Sequence, residues 1–255
     1  MNAKSASART LPSDDVPETL GARMKRDYED PYRIQLPLRM PIILRVDGRA
    51  FHTFCARMER PFDDRLIRAL NDVAIAIVSE VAGAQLAYLQ SDEISVLVHN
   101  YKRFKTEAWL GGNLQKMVSV VAGIASAHMA RAYPEAPRPP SFDARAFVLP
   151  EREVNNYFVW RQRDWERNSL SMLARSRYDE GVLLGKRRAE VHDLLHEKGV
   201  HWGSLPSSLK RGRVVLRERG ADGSVGGWVV DDQVPRFHEA PAYVEQWLAR
   251  EPELE

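Results

Sequence analysis

The sequence has 255 residues, 44% of them hydrophobic and 28% charged, a composition typical of a folded soluble protein with one large or two small domains. Its net charge of +2 is too small to indicate an anionic partner, and its single cysteine, Cys55, excludes an intrachain disulfide and a multi-cysteine zinc site. Because no run approaches about 18 apolar residues and the N-terminus has no apolar signal core, we expect no membrane association and a cytoplasmic location.

The N-terminal part of the chain predicts a polar tail, a short helix and a buried strand. Residues 1–17 are polar, and we expect them to be disordered. A short helix follows and is ended by Pro31. The apolar, β-branched run Ile42–Val46 then predicts a strand in a buried sheet.

A long helix and a hairpin are predicted next. Apolar residues recur at helical spacing over 66–81, where Asp63 or Asp64 can cap the helix and Gly83 can end it. Alternating apolar residues on both sides of a Ser-Asp-Glu bend predict a hairpin over 85–98.

The remaining sequence predicts mostly helices. A second long helix is predicted from about residue 112 to 133, followed by a short strand that ends at Pro150. Residues 151–200 look helical throughout. A hairpin with a Gly-rich turn is predicted over 212–232, and a last helix over 240–250.

The order of the first elements is β-α-β-β-α-β, the split βαβ arrangement of ferredoxin-like folds. We therefore expect an α+β fold with a polymerase-palm-like antiparallel sheet, covered by helices, and a helical and β-hairpin C-terminal part. The expected domains are a disordered N-terminus (1–17), a palm-like catalytic domain (18–150) and a C-terminal part (151–255) packed on the palm.

Two carboxylates are predicted to meet at one edge of this sheet. Asp47 ends the first strand, and Asp92 lies at the bend of the neighbouring hairpin. Because successive strand side chains point to opposite faces, Asp92 and Glu93 cannot both face Asp47, and we expect Asp92 to do so with Glu93 in a helper role. A divalent cation relieves the repulsion between two such anions, and a pair of Mg²⁺ ions about 4 Å apart suits nucleotidyl transfer.

Two features of the sequence remain open to simpler interpretations. Gly48 lets a ligand approach the backbone closely, but an Asp-Gly pair can also form only a turn. Arginine and lysine concentrate in residues 161–188 and 210–219, which are either solvated helix faces or a surface for nucleic-acid phosphates.

Six separated motifs carry a family resemblance. They read RVDGRAFHTF, RPFDDRL, YLQSDEISV, LGGNLQKMVSVVAG, SFDARAFVLP and WRQRDWERNSLSMLARSRY. From about Leu20 to Tyr178 the chain resembles the tRNA-His guanylyltransferase superfamily, whose members add nucleotides to tRNA 5′ ends in the 3′-to-5′ direction on a polymerase-like palm. Eukaryotic members carry HINN where residues 166–169 read Glu-Arg-Asn-Ser, so the chain is most similar to the guanylyltransferase-like proteins of bacteria, archaea and phages.

The resemblance implies an activity and its partners. That branch repairs 5′-truncated tRNA in a template-dependent way: ATP or GTP activates the 5′ end, and two-metal nucleotidyl transfer adds each nucleotide. It also implies contact with the tRNA acceptor stem and a homotetramer built as a dimer of dimers. The alternative within the family is addition of G−1 to tRNA-His.

Two more remote functions are also open. A palm-type nucleotide cyclase or dinucleotide synthase often carries a GGDEF-like tip, which this chain lacks. A non-catalytic RNA-binding protein with an inactive palm is disfavoured because Asp47, Asp92 and Glu93 are all present.

The resemblance also implies roles for individual residues by motif position. The catalytic set is Asp47, Asp92 and Glu93, with two Mg²⁺ ions on Asp47, Asp92 and the backbone of Gly48. The residues implied in nucleotide binding are Arg45, Gly48, His52, Arg60, Asp63, Ser91 and Lys116. The residues implied near the nucleotide or the RNA are Arg145, Asn168, Lys210 and Arg211. Ser91 could instead only shape the turn, His52 could be a structural histidine, and Lys116 could be plain surface.

Overall fold

The computed structural model describes residues 18–101, 105–220 and 224–249, so the prediction for residues 1–17 lies outside the described residues. The chain divides after Ile34 into two units. In the first unit, helix α1 (Leu20–Met24) continues as a π-helical turn (Lys25–Glu29) and a 3₁₀ turn (Asp30–Tyr32). The predicted short helix is therefore confirmed.

The second unit is built on an antiparallel sheet. Its strands are β1 (Ile42–Gly48), β2 (Ala84–Gln90), β3 (Glu93–Val98), β4 (Phe142–Val148), β5 (Arg213–Arg219) and β6 (Val225–Asp231). Their order across the sheet is β4-β1-β3-β2-β5-β6, and every neighbouring pair is antiparallel. The first four strands have the ferredoxin-like order, which confirms the palm-like α+β fold. The C-terminal hairpin extends the sheet beyond β2.

Helices cover both faces of the sheet. They are α2 (Phe51–Phe54), α3 (Asp64–Glu80), α4 (Leu114–Ala132), α5 (Glu151–Arg175), α6 (Glu180–Leu183), α7 (Arg188–Glu197), α8 (Ser207–Arg211) and α9 (Ala242–Glu245). Single 3₁₀ turns lie at Cys55–Arg57, Trp109–Gly112, Trp202–Ser204 and Gln246–Leu248. Within the described ranges, no helix is long and apolar enough to cross a membrane.

Alternation along the strands separates two layers of core. On one face, Val46 packs with Ile77 of α3 and Met117 of α4. On the other face, Ile43 packs with Phe158 of α5. Residues of β1 therefore alternate between a layer formed by α3 and α4 and a layer formed by α5.

The N-cap predicted for the first long helix is confirmed, and the second long helix also begins with a capping side chain. The Asp63 carboxylate accepts the backbone N–H of Leu66 at 2.8 Å, so Asp63 is the N-cap of α3. The Asn113 side chain accepts the N–H of Lys116 at 3.0 Å at the start of α4. Each bond satisfies a donor that the first turn of a helix leaves without an intrahelical partner.

The prediction of continuous helix over residues 151–200 is wrong. The chain leaves α5 after Arg175, and the extended residues Asp179 and Arg187 precede two shorter helices, α6 and α7. The breaks let α7 fold back, so that Leu195 and Trp202 bury the apolar surface of the last turns of α5. Gly185, with φ of +74°, marks the break between α6 and α7 locally, whereas the end of α5 depends on tertiary burial.

Candidate active site

A cleft of about 640 Å³ opens at the edge of the sheet where β1 ends and the β2–β3 hairpin turns. Its volume is in the range of protein sites for small-molecule ligands. Asp47, Gly48, Ser91 and Asp92 form its acidic end. The rest of its wall mixes apolar and polar side chains and comes from the segment 50–63, the first half of α3, the C-terminal half of α5, α8 and the start of β5.

The predicted meeting of the first strand and the hairpin bend is observed. In the β1–β3 ladder, Asp47 pairs with Glu93, the residue after Asp92. A Cβ atom placed on Gly48 would lie 2.7 Å from Oδ2 of Asp92 and 2.3 Å from Cδ2 of Phe51. The Asp92 carboxylate therefore lies directly against the backbone that follows Asp47, and only glycine leaves room for it.

Both carboxyls at this edge are destabilised in their charged form. Burial raises the pKa of Asp47, and the negative charges of Asp92, Glu93 and Asp143 raise it further. Burial also raises the pKa of Asp92, while the Ser91 hydroxyl, which donates to it at 2.8 Å, opposes the shift. Two partly buried anions of this kind are a fitting donor set for a cation with oxygen ligands. No group of three or more histidine, cysteine or acidic residues of the described chain forms a denser metal site.

Glu93 lies behind this pair and does not line the cleft. Arg161 of α5 donates to both of its carboxylate oxygens, from Nε at 2.7 Å and from Nη2 at 2.6 Å. The side chains of Gln90 and Ser95 each donate to Oε1 at 3.2 Å. This contact is consistent with the expected helper role, because Arg161 fixes the residue next to Asp92 to α5.

Cys55 also lines the cleft, but burial raises the pKa of its thiol to about 12. It stays protonated near neutral pH, as expected of a structural thiol rather than a nucleophile.

The residues expected to bind nucleotide fall into two groups. His52, Arg60, Asp63 and Ser91 line the cleft with Gly48. Asp63 is also the N-cap of α3 and accepts the N–H of Glu59 at 3.0 Å, so its carboxylate is held in place from both sides.

Arg45 and Lys116 lie outside the cleft. The Arg45 guanidinium lies 6.0 Å from the ring centre of Trp160 on the α5 side of the sheet. Lys116 is exposed in the first turn of α4.

The four residues expected near RNA do not line the cleft either. Arg145 is an exposed residue of β4 whose guanidinium approaches Asp143, and Asn168 is exposed on α5. In α8, the Lys210 ammonium donates to the carbonyl of Gly203, and Arg211 donates weakly to the carbonyl of Val234 at 3.5 Å.

Sequence reasoning missed the C-terminal contribution to the cleft. Trp165, Met172 and Arg175 reach it from α5, Leu209 from α8, and Arg213 from the start of β5. The spacing of seven and three residues along α5 places its three members on one helix face, which is the one local signal that could have found them. Arg213 carries no such signal, because its position depends on where β5 joins the sheet.

Comparison with known proteins gives consistent matches. The family model of tRNAHis guanylyltransferase (Thg1) matches residues 22–150. A bacterial tRNA(His) guanylyltransferase (Thg1)-like protein in complex with ATP is 41% identical, with a TM-score of 0.84 over 91% of this chain and 99% of that chain. A structure of such a protein in complex with GTP is 38% identical, with a TM-score of 0.76 and the same coverage.

A curated relative is more distant. The tRNA(His) guanylyltransferase 2 of Arabidopsis thaliana is 28% identical over 79% of this chain, and the match spans 40% of the Arabidopsis protein.

Fold and comparisons together define a nucleotidyltransferase with a polymerase-like palm, whose acidic edge opens on a cleft of nucleotide size. The chain belongs to the tRNAHis guanylyltransferase (Thg1) family, since the family model covers just over half of it and the bacterial Thg1-like structures match nearly all of it.

Proposed function

We propose that this protein extends the 5′ end of truncated tRNA in the 3′-to-5′ direction, with base pairing to the opposite strand choosing each nucleotide. The observation that carries the proposal is the meeting of two carboxyls, Asp47 and Asp92, at a cleft of nucleotide size. The identity to a bacterial Thg1-like protein in complex with ATP supports a nucleoside triphosphate as the ligand of this cleft.

Two Mg²⁺ ions suit the acidic end of the cleft. Asp47 and Asp92 would hold them through carboxylate oxygens, and Gly48 through its backbone carbonyl, because magnesium prefers oxygen ligands. The raised pKa of both carboxyls supports this role, since a cation stabilises their charged forms. When bound, such ions neutralise phosphate charge and lower the pKa of an attacking hydroxyl.

The reaction consists of two transfers. In the first, an oxygen of the RNA 5′ monophosphate bonds to the α-phosphorus of ATP or GTP, and pyrophosphate leaves as its bond to that phosphorus breaks. In the second, the 3′ hydroxyl of the incoming nucleoside triphosphate bonds to the RNA 5′ phosphorus, AMP or GMP leaves, and the hydroxyl proton passes to water. His52, Arg60 and Ser91 would orient the triphosphate in the cleft for in-line attack.

Basic and polar side chains outside the cleft would hold the RNA. Arg163, Arg167 and Asn168 are exposed along α5, and the arginine-rich sequence continues at Lys210 and Arg211. Contacts from such side chains to phosphates read the position and shape of a helix rather than its sequence. They fit an enzyme in which base pairing, not the protein, selects the nucleotide.

A second candidate function is the addition of a single guanylate to tRNA-His, which the names of the curated relatives favour. We also propose, from the family resemblance, that the protein acts in the cytoplasm as a homotetramer built as a dimer of dimers.

Incorporation into defined RNAs tests the proposal. The protein is incubated with Mg²⁺, ATP, labelled GTP and a tRNA that lacks its first nucleotide, in versions with cytidine or adenosine at the opposing position. We expect GTP to be incorporated opposite cytidine and not opposite adenosine. Incorporation confined to tRNA-His whatever the opposing base would favour the second candidate, and a cyclic or dinucleotide product from GTP alone would contradict both.

An Asp92→Asn variant tests the role of the acidic edge. We expect it to fold and to bind tRNA as the wild type does, but to incorporate no label, because it lacks one of the two carboxylates. Asp72→Asn, which neutralises an exposed carboxylate of α3, is the matched control and should remain active. Full activity of Asp92→Asn would remove the proposed metal site.

A further inference from the structure

Arg213 is a buried arginine in the wall of the cleft. It is the first residue of β5 and is only 4% exposed. Its Nε donates to Oδ1 of Asn71 in α3 at 2.7 Å, and no carboxylate among the described residues forms an ion pair with it. Burial without such a partner lowers the pKa of its guanidinium to about 10.

The two terminal nitrogens of Arg213 have no protein acceptor. Asn71 engages only Nε, and the described residues offer no hydrogen-bond partner to Nη1 or Nη2. A buried guanidinium that lacks acceptors is costly, so native structures supply them from protein, water or a ligand. The open space that this side chain lines is the cleft.

Part of the wall of this cleft suits a flat heteroaromatic ring. Leu66 and Leu70 of α3 and Trp165 of α5 line the same cleft. An apolar wall of this kind does not replace the water around a phosphate dianion, whereas it packs well on the faces of a base.

Arg213 lies across the sheet from Asp47. Its strand β5 is three strands away from β1, which corresponds to about 14 Å at the usual spacing of neighbouring strands. A triphosphate at Asp47 and Asp92 would thus extend its base toward the part of the cleft that Arg213 lines.

We infer that Arg213 reads the base of the nucleotide that activates the RNA 5′ end in this cleft and selects guanine, donating from Nη1 and Nη2 to O6 and N7; base pairing still selects the nucleotide that is added. These are the two acceptors that arginine most often binds together on guanine. Adenine presents an amino group at the position of O6, which places a donor against a donor. The inference rests on the proposed function only in that a nucleoside triphosphate occupies the cleft.

Equilibrium binding to the wild-type protein tests this without RNA and without any variant. Affinities are measured in Mg²⁺ for GTP, ITP, ATP and 7-deaza-GTP. Inosine keeps O6 and N7, so ITP should bind as GTP does. ATP should bind about 10- to 100-fold more weakly, and 7-deaza-GTP, which lacks N7, should fall between them. Equal affinities for GTP and ATP, or ITP binding as weakly as ATP, would overturn the inference.

An Arg213→Met variant then assigns the selectivity to this side chain. GTP and ITP should lose about 10- to 100-fold in affinity while ATP is unchanged. Arg217→Met is the matched control, since Arg217 lies on the same strand but stacks on Trp228 outside the cleft, and it should leave all four affinities unchanged. Equal losses for ATP and GTP would indicate a phosphate contact, and unchanged affinities a structural arginine; either result contradicts the inference.

The two proposals fail in different ways. Guanine selectivity without extension of tRNA would retain the inference and remove the proposed function. Template-dependent extension by a protein that binds GTP and ATP equally would retain the proposed function and remove the inference.

Discussion

At the residue scale, the contact between Glu93 and Arg161 connects the acidic edge of the sheet to α5. Both side chains are only 10% exposed, and two hydrogen bonds join them. Charge pairs this well buried are costly to break by removing one partner, because the other charge is then buried alone. The pair therefore fixes the start of β3, and with it the hairpin bend that carries Asp92.

We expect an Arg161→Met variant to lose about 3–5 kcal/mol of unfolding free energy in urea titrations, since the Glu93 carboxylate would be buried without its partner. Arg167→Met is the control: Arg167 is 64% exposed in its ion pair with Asp164, and its loss should cost less than about 1 kcal/mol. If both variants lose the same amount, the buried pair has no special structural role.

The residue scale also shows the limit of sequence reasoning about the site. Asp92 and Gly48 could be predicted because their positions follow from local rules, namely a strand end and a hairpin bend. The Arg161 contact could not, because it joins residues 68 positions apart and depends on how α5 packs on the sheet. The same holds for Arg213, whose place in the cleft depends on the pairing of β5 with β2.

At the scale of helices and strands, the backbone conformation of a glycine decides whether its replacement by alanine stabilises or destabilises the protein. Gly123 lies exposed in α4, and a Cβ atom there would meet nothing within 4 Å. Gly212 joins α8 to β5 with φ of +83°, and a Cβ atom there would lie 2.5 Å from the carbonyl oxygen of Leu89. The same change should therefore have opposite effects at the two positions.

We expect Gly123→Ala to stabilise the protein by about 0.5–1 kcal/mol, because alanine restricts the unfolded chain and favours helix. Gly212→Ala should destabilise it by more than that, because alanine is strained at this φ and would collide with β2. Thermal unfolding followed by circular dichroism measures both. A stabilised Gly212→Ala variant would mean that the α8–β5 junction shifts to make room.

Local sequence signals predicted some helices and strands correctly but missed the end of α5. The helix α3 could be predicted from its apolar spacing and the Asp63 cap, and the β2–β3 hairpin from its alternation, since these signals lie within one element. The end of α5 at Arg175 could not, because its last turns continue a helical sequence and stop where α7 folds back.

At the scale of the whole molecule, the acidic edge makes stability depend on pH. The pKa values of Asp47 and Asp92 are raised in the folded state, so folding is favoured most when these carboxyls are protonated. That contribution is present below the ordinary carboxyl pKa and is lost as pH rises through the raised values.

In the presence of a chelator, we therefore expect Asp92→Asn to melt at a higher temperature than the wild type at neutral pH, with the difference shrinking towards acidic pH. If the proposed metal site forms, Mg²⁺ should raise the melting temperature of the wild type and reduce the difference between the two proteins, because a ligand of the folded state stabilises it. Asp72→Asn should follow the wild type throughout. If the difference in melting temperature between Asp92→Asn and the wild type did not change with pH, the charge of Asp92 would not be its cause.

The attachment of β5 to β2 has a consequence for how the polypeptide is made. Chain emerging from a ribosome exposes β2 more than 120 residues before β5 is available to pair with it. For that interval β2, whose Leu86, Tyr88 and Leu89 are fully covered in the finished fold, is an open strand edge, the kind of surface on which nascent polypeptides associate wrongly. Translation that halts shortly after residue 150 would therefore release a fragment that contains Asp47 and Asp92 but leaves the edge of β2 unpaired.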